Sequence, residues 1–424
     1  MTTKHTRAAL AAFMLAASSL AMTGYAHAQS NERAIGEAES RAGRPQQQTQ
    51  KPAAGPSLTA PVGRVLGNVQ KLVGEKKFPE AMAALKEAQP GNDYDRLMIN
   101  RFITMVAVNL GDEAAATAAA MAAADLPPES IPDEDKVEVY RNAAQLANNA
   151  KQADKAVVYA RRLAELNPTD AASQQIIAIA IYNGAPPAEA IAFFQKQIDA
   201  AAAAGRRPSR DLINMKINSH LKANDNPGAE ATLEQALLYY NQPDDWEQLI
   251  NVTMSTSGIR DIDAVMLGRL LFVSGAPVSK ENADLIGQTA QKLAMYGDAQ
   301  LAQQKGATLQ LDAARVNSDK ASMPEQIKMG ASQNGVFNVK LAEALYGYGM
   351  YPEAEAAARA GLAKGGADAS EAQMLIGMSL YQQGKLAEAA QAFEQVKGGS
   401  PATPRIARLW NTFIKVKQNP PPAQ

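Results

Sequence analysis

The feature that most constrains this chain is a short opening that returns at a nearly fixed interval. Phe78-Pro79-Glu80-Ala81, Pro187-Ala188-Glu189-Ala190, Pro227-Gly228-Ala229-Glu230-Ala231, Tyr351-Pro352-Glu353-Ala354 and Leu386-Ala387-Glu388-Ala389 each lead into an apolar-periodic segment. Asp112 to Ala116 and Ala153 to Ala156 are weaker copies. The anchor alanines Ala81, Ala116, Ala156, Ala190 and Ala231 stand 35, 40, 34 and 41 residues apart, and Ala354 and Ala389 stand 35 apart. A recurrence near this length marks a solenoid of helical hairpins, in which each unit buries its apolar face only against its neighbours.

Each element of the opening has a physical reason. Pro or Glu in a first helical turn suits the free N–H groups and the positive end of the helix dipole. Alanine leaves room where the two helices of a hairpin cross. Gly349 and Gly384 sit five residues before Ala354 and Ala389, where the preceding helix must stop. From residue 65 onward the helical period dominates, with breaks at Gly, Pro, Asn or Asp and no sustained alternation of β-branched residues. The expected organisation is repeats over 63–240, degenerate hairpins over 241–330 and clearer repeats over 331–400. A capping helix over 401–418 and a disordered tail over 419–424 follow. This makes nine hairpins and a final helix, with Val316 to Gly330 read as a longer connection. In the final helix Ile406, Leu409, Trp410, Phe413 and Ile414 share one stripe, and Arg405, Arg408, Asn411, Lys415 and Lys417 are placed facing away.

The chain resembles the tetratricopeptide repeat family. In the copy Ser370 to Gly398, Ile376, Gly377 and Leu380 take the family's large, small and large positions of the first helix. Gly384, Leu386, Ala389, Phe393 and Val396 take those of the turn and second helix. Leu341, Ala342, Leu345, Gly349, Tyr351, Ala354 and Ala358 match in the copy before, and Ile177, Ala178, Ile181, Ala190 and Phe194 in an earlier one. The family's Trp position is filled by Gln373 in the last copy, and residues 245–330 depart most from the pattern. The resemblance implies an all-α superhelix of antiparallel helix hairpins whose first helices line a groove for an extended peptide or protein segment. Carried over by position, the groove candidates are Asn148, Asn149, Gln175, Tyr182, Asn183, Glu343, Tyr346, Glu371, Met374, Met378, Tyr381 and Gln382. The several Lys or Arg positions of a clamp for a C-terminal carboxylate are absent from this set.

Composition excludes several chemistries. The 424 residues contain no Cys, so disulfides, thiolate metal sites, a cysteine nucleophile and a lipid-modified cysteine are ruled out. The chain has 3 His, and only His220 lies beyond the first 28 residues. Paired-histidine metal sites are therefore excluded from the remainder. Lys and Arg total 42 against 43 Asp and Glu, with no basic domain, which argues against nucleic acid. No phosphate-binding loop or dinucleotide-binding turn is present, so no cofactor is expected. Asp261 and Asp263 are two apart at a helix start and do not face each other. No catalytic residue and no metal site is expected.

Residues 1–28 have the parts of a secretory leader: Lys4 and Arg7, an apolar stretch from Ala9 to Met22, and Ala26-His27-Ala28 before the cut expected after Ala28. Residues 29–62, with Gln46-Gln47-Gln48 and Lys51-Pro52, read as a disordered low-complexity linker. No later run is long and apolar enough to span a membrane. The expectation is a non-catalytic periplasmic scaffold, or a secreted one, that binds envelope proteins or peptides during assembly or secretion. A polysaccharide- or cell-wall-binding protein is the alternative, hinted at by Tyr182 with Asn183 and Tyr381 with Gln382. A helical hydrolase would need a pair of acids that the sequence does not single out.

Overall fold

A computed structural model describes residues 56–166 and 170–421. The leader at 1–28, the linker up to residue 55 and residues 422–424 lie outside the described residues. Among the described residues the regular structure is all helical: twenty α-helices and one 3-10 turn at Pro128–Ser130. Seven hairpins come first: α1 (Ala60–Gly74) with α2 (Phe78–Glu87), α3 (Asp93–Leu110) with α4 (Glu113–Ala124), α5 (Asp133–Asn149) with α6 (Ala153–Leu166), α7 (Ala171–Gly184) with α8 (Pro187–Ala203), α9 (Arg210–Lys222) with α10 (Asn226–Tyr240), α11 (Pro243–Met254) with α12 (Asp261–Ser274), and α13 (Lys280–Lys292) with α14 (Tyr296–Gln304). A single helix, α15 (Ala313–Gly330), separates them from α16 (Gly335–Gly347) with α17 (Tyr351–Lys364) and α18 (Ala369–Gln382) with α19 (Leu386–Glu394); α20 (Thr403–Gln418) ends the order. The architecture is an antiparallel helix-hairpin solenoid.

The repeat unit is defined by its turn. The amides of Ala81, Ala116, Ala156, Ala190, Ala354 and Ala389 each donate to the carbonyl four residues earlier, at 2.9 to 3.1 Å, closing the first turn of a second helix. All six alanines are buried. The fifth member is Ala229, not Ala231: Ala229 donates to the Asp225 carbonyl at 3.0 Å and is buried, whereas Ala231 is exposed. The Ala-Glu-Ala match at 229–231 sets the register two residues late. In the same position stand Ala264, donating to Arg260, and Ala299, donating to Met295. From Ala229 to Ala264 to Ala299 the period is 35 and 35, so it continues into the stretch read as degenerate and breaks only at α15.

Five residues before most of these alanines the backbone is left-handed. Lys76, Gly111, Lys151, Asn224, Ala294, Gly349 and Gly384 have φ of 60°, 74°, 58°, 55°, 57°, 76° and 77°. The turn needs this conformation to end one helix and reverse into the next. Only three of the seven are glycine, which is why the turn signal was half visible in the sequence.

Residues 313–330 depart from the expected connection. Asp312 caps α15, its carboxylate accepting from the amides of Ala314 and Arg315 at 3.0 and 3.2 Å. Val316, Met323 and Gly330, seven apart, are the buried positions of a narrow stripe. Pro324 sits inside the helix, and so narrow a stripe around a proline reads as loop in the sequence.

The described residues divide into two compact units, up to Ala190 and from Ile191, the boundary lying inside α8. In the first unit, Val62, Leu66, Leu85, Phe102, Val106 and Ala116 belong to one apolar core. Adjacent repeats are tied by arginines: Arg101 donates to Asp135 at 2.6 Å and Glu138 at 3.0 Å, and Arg141 to Asp170 at 3.1 Å. The second unit has one continuous core from Ile198 to Val416, so segments 241–330 and 331–400 share an interior. At its centre is α12, in which Val265, Met266, Leu267, Leu270 and Leu271 are all buried. A helix apolar on every side must be surrounded.

Candidate functional site

The first helices of the hairpins present different surfaces in the two units. In the first unit Asn149, Gln175 and Asn183 are exposed, and Asn148 and Tyr182 half-buried. Asn183 on α7 donates through Nδ2 to Asn148 Oδ1 on α5 at 2.7 Å, linking adjacent first helices across the candidate face. This face is amide-rich and open to solvent.

In the second unit the corresponding side chains are turned into the protein. Met374 and Met378 are fully buried on α18, and Glu343, Tyr346 and Tyr381 are nearly so. Burial raises the Glu343 carboxyl above its ordinary range, although Lys340 Nζ donates to both its oxygens at 2.8 and 2.9 Å. Tyr346 lies against the Arg269 guanidinium, 4.2 Å from its ring centroid, and its hydroxyl accepts from Gln382 Nε2 at 3.1 Å; burial raises this phenol too. Glu371 accepts from Arg260 Nη1 at 2.9 Å. The Tyr381 hydroxyl accepts from Lys417 Nζ at 2.8 Å, and its ring lies 5.4 Å from those of Trp410 and Phe413. These residues make no open groove.

Two features of the chain fill that space. The first is α12: its residue Arg269 is itself buried, reaches the Glu343 carbonyl on α16 at 3.1 Å, and forms a two-pronged ion pair with Asp298 at 2.8 and 2.7 Å. The second is α20. Ile406, Leu409, Trp410, Phe413 and Ile414 are buried as the stripe requires; Arg408 is exposed as expected, Arg405 is half-buried, and both pair with acids of the same chain. Arg405 pairs with Glu230, and Arg408 with Glu230 at 3.0 Å and Glu234 at 2.8 Å, both acids on α10 about 175 residues earlier. Phe413 packs edge-on against Trp246 of α11 at 5.2 Å, and Trp410 stacks on Phe393 of α19 at 5.5 Å. The helix is thus held on two sides, where an end cap would be held on one.

The residues weighed for chemistry have structural partners. His220 Nδ1 lies 2.8 Å from Asp225 Oδ2, and Asp225 accepts from the Gly228 amide at 3.0 Å as the cap of α10. Neighbouring Ser219 donates to the Met215 carbonyl at 2.7 Å and is not aligned as a nucleophile. Asp261 pairs with Lys292, while buried Asp263 accepts from Arg260 and from Ser400 Oγ at 2.8 Å. Among the described residues no group of three or more His, Asp or Glu side chains is placed to hold a metal ion, and no helix is long and apolar enough to cross a membrane.

A family model for the tetratricopeptide repeat matches residues 339–404, the span of α16 to α19 and the turn into α20. No curated protein matches the chain. Similar solved structures include the Naa15/Naa10 complex bound to HypK-THB, at 12% identity and a TM-score of 0.39, covering 84% of this chain and 65% of that one, under two thirds of its length. The P58(IPK) TPR domain is 13% identical with a TM-score of 0.23, covering 85% of this chain and 100% of that one. Yeast Tom70 is 12% identical with a TM-score of 0.23, covering 84% and 96%. The fold is a tetratricopeptide-like, all-α helical repeat.

Proposed function

We propose that the chain is a non-catalytic scaffold that binds an extended protein or peptide segment along the first-helix face of its first unit, and that it does so in the periplasm, in the assembly or organisation of an envelope or secretion complex. The observation that carries the binding site is the contrast between Asn149, Gln175 and Asn183, which are solvated, and Met374, Met378 and Tyr381, which are buried. Amide side chains donate and accept at once, which suits the N–H and C=O groups of an extended backbone. The reading of residues 1–28 supports export. The glycan alternative loses one of its two supports, since Tyr381 and Gln382 are spent on Lys417, Trp410 and Tyr346.

The test is affinity capture from a crosslinked envelope fraction with residues 29–424 as bait, beside an Asn149→Ala/Gln175→Ala/Asn183→Ala variant, and a peptide array read with both. The expected result is a protein, and array peptides, retained by the native bait and lost from the folded variant. Equal retention by both baits would place binding elsewhere.

A further inference from the structure

One asparagine returns with the period of the fold. Asn109, Asn149 and Asn183 stand seven residues before the anchor alanines Ala116, Ala156 and Ala190. They lie in the last turns of the first helices α3, α5 and α7, and all three are exposed. The first hairpin has Gly74 at this place, and no hairpin of the second unit has asparagine there. Three consecutive repeats of the first unit therefore carry a row of identical amides.

Each amide has two N–H donors and a carbonyl acceptor. At two rungs one donor holds the side chain in place: Asn109 Nδ2 donates to the Met105 carbonyl at 2.8 Å, and Asn183 Nδ2 to Asn148 Oδ1 at 2.7 Å. The second donor and the acceptor remain for a ligand, so a rung can take both the C=O and the N–H of a peptide. The row is also neutral. Arg101, on α3, is engaged by Asp135 and Glu138, and Arg141, on α5, by Asp170. Such a row complements the uncharged peptide unit rather than a charged terminus or a phosphate.

The spacing of the rungs selects a backbone conformation. The Arg101 pair ties α3 to α5, and α5 packs beside α7. Packed helices lie about 8–10 Å apart. Along a β-strand, groups on one side return every two residues, about 6.8 Å, and next at about 13.6 Å. Along a polyproline II helix they return every three residues, about 9.3 Å, and the backbone makes no hydrogen bonds of its own. Only the second repeat keeps in step with three rungs. Ile179 and Tyr182, half-buried on α7 within one turn of Asn183, add apolar surface for a pyrrolidine ring.

We propose that Asn109, Asn149 and Asn183 read a proline-rich segment in the polyproline II conformation, one residue in three giving its N–H and C=O to a rung while the two between are free to be proline. This rests on the binding face proposed for the first unit and adds the conformation and register of what it takes.

The experiment is fluorescence anisotropy with the chain from residue 29 and two labelled probes, (Ala-Pro-Pro)5 and the same peptide with every alanine N-methylated. The unmethylated probe is expected to bind, and the methylated one to bind about tenfold more weakly or worse. Asn109→Ala, Asn149→Ala and Asn183→Ala should each weaken the first probe by about threefold, and Gln175→Ala, outside the row, by less than about twofold. No saturable binding of (Ala-Pro-Pro)5, or equal binding of the two probes, would overturn the proposal. These variants change exposed side chains; should one lose its helical circular dichroism, the comparison of the two probes on the native chain decides. An N-methyl scan of the retained array peptides separates this inference from the reading beneath it. Sensitivity at every third residue supports the row; sensitivity at every second residue refutes it and leaves the first-unit face as the binding site. If no array peptide depends on Asn149, Gln175 and Asn183, the face falls and this inference with it.

Discussion

Removing the Asp298 carboxylate should destabilise the second unit about as much as truncating a large core side chain. Arg269 and Asp298 are each about 2% exposed, and their ion pair uses both carboxylate oxygens, at 2.8 and 2.7 Å. Arg269 also donates to the Glu343 carbonyl and lies on the Tyr346 ring, but its Nη1 has no partner, so the pair is already incompletely satisfied. Asp298→Ala leaves a guanidinium buried without its counter-charge, a loss of about 3–5 kcal/mol. For a unit of this size each kcal/mol moves the melting midpoint by about 2–4 °C, so a fall of roughly 6–20 °C is expected. The chain supplies its own probe: the 2 tryptophans, Trp246 and Trp410, are both buried in the second unit, so their emission reports its unfolding. The companion Arg269→Met/Asp298→Leu removes both charges and should melt much nearer the native chain than the single variant. A fall of less than about 3 °C for Asp298→Ala would refute the reasoning. So would a double variant as unstable as the single one, because the loss would then come from packing and not from an abandoned charge.

Two further perturbations test the repeat itself. Ala294 holds φ 57° in the turn between α13 and α14, where its Cβ is strained, so Ala294→Gly should raise stability by about 0.5–1 kcal/mol in urea unfolding read by tryptophan emission; an unchanged or lower midpoint would contradict the strain. Burial opposes charge on Asp95, but donors from Thr59 and Gly91, at 2.7 to 2.9 Å, and from Asn92 outweigh it and hold its carboxyl below the usual range. The folded form therefore prefers the ionised state. The stabilisation is present above the ordinary carboxylate pKa, about 3.9, and is lost as pH falls through the lower folded value. Hydrogen exchange of α1 and α3 should show this acid loosening in the native chain and a flatter response in Asp95→Asn.

How much of this was legible follows from which interactions are local. The anchor alanines and the helix-ending glycines are set within one hairpin, so Ala81, Ala116, Ala354, Ala389, Gly349 and Gly384 carried the period in plain view. Ala264 and Ala299 lacked the Pro or Glu that marked most of the others, and Ala294 gave no glycine signal for its left-handed turn. The candidate face was legible as positions but not as exposure. Exposure depends on which other elements pack over the face, and in the second unit α12 and α20 do so. The signal for α12 was present in Val265-Met266-Leu267-Gly268 and Leu270-Leu271-Phe272, a run too apolar for an outward helix. Nothing local to α10 marks Glu230 and Glu234 as partners of Arg405 and Arg408, since only the folded chain brings them together.

The same repeat carries a solvated first-helix face in one unit and a covered one in the other, and the residue types there explain why. Met and Tyr on such a face look like a peptide-binding surface, because they are the side chains that gain most from being covered. That gain is equally available to the chain itself. In the second unit α12 and α20 collect it, and Met374, Met378, Tyr346 and Tyr381 become interior. Asn149, Gln175 and Asn183 offer no comparable gain to an internal helix, because covering them requires a hydrogen bond for every amide group removed from water. They stay solvated and can be engaged only by a ligand that brings donors and acceptors of its own. On that ground a ligand of the first unit should be read through its backbone more than through apolar side chains. Its binding should then tolerate side-chain changes on the array better than it tolerates N-methylation of the peptide.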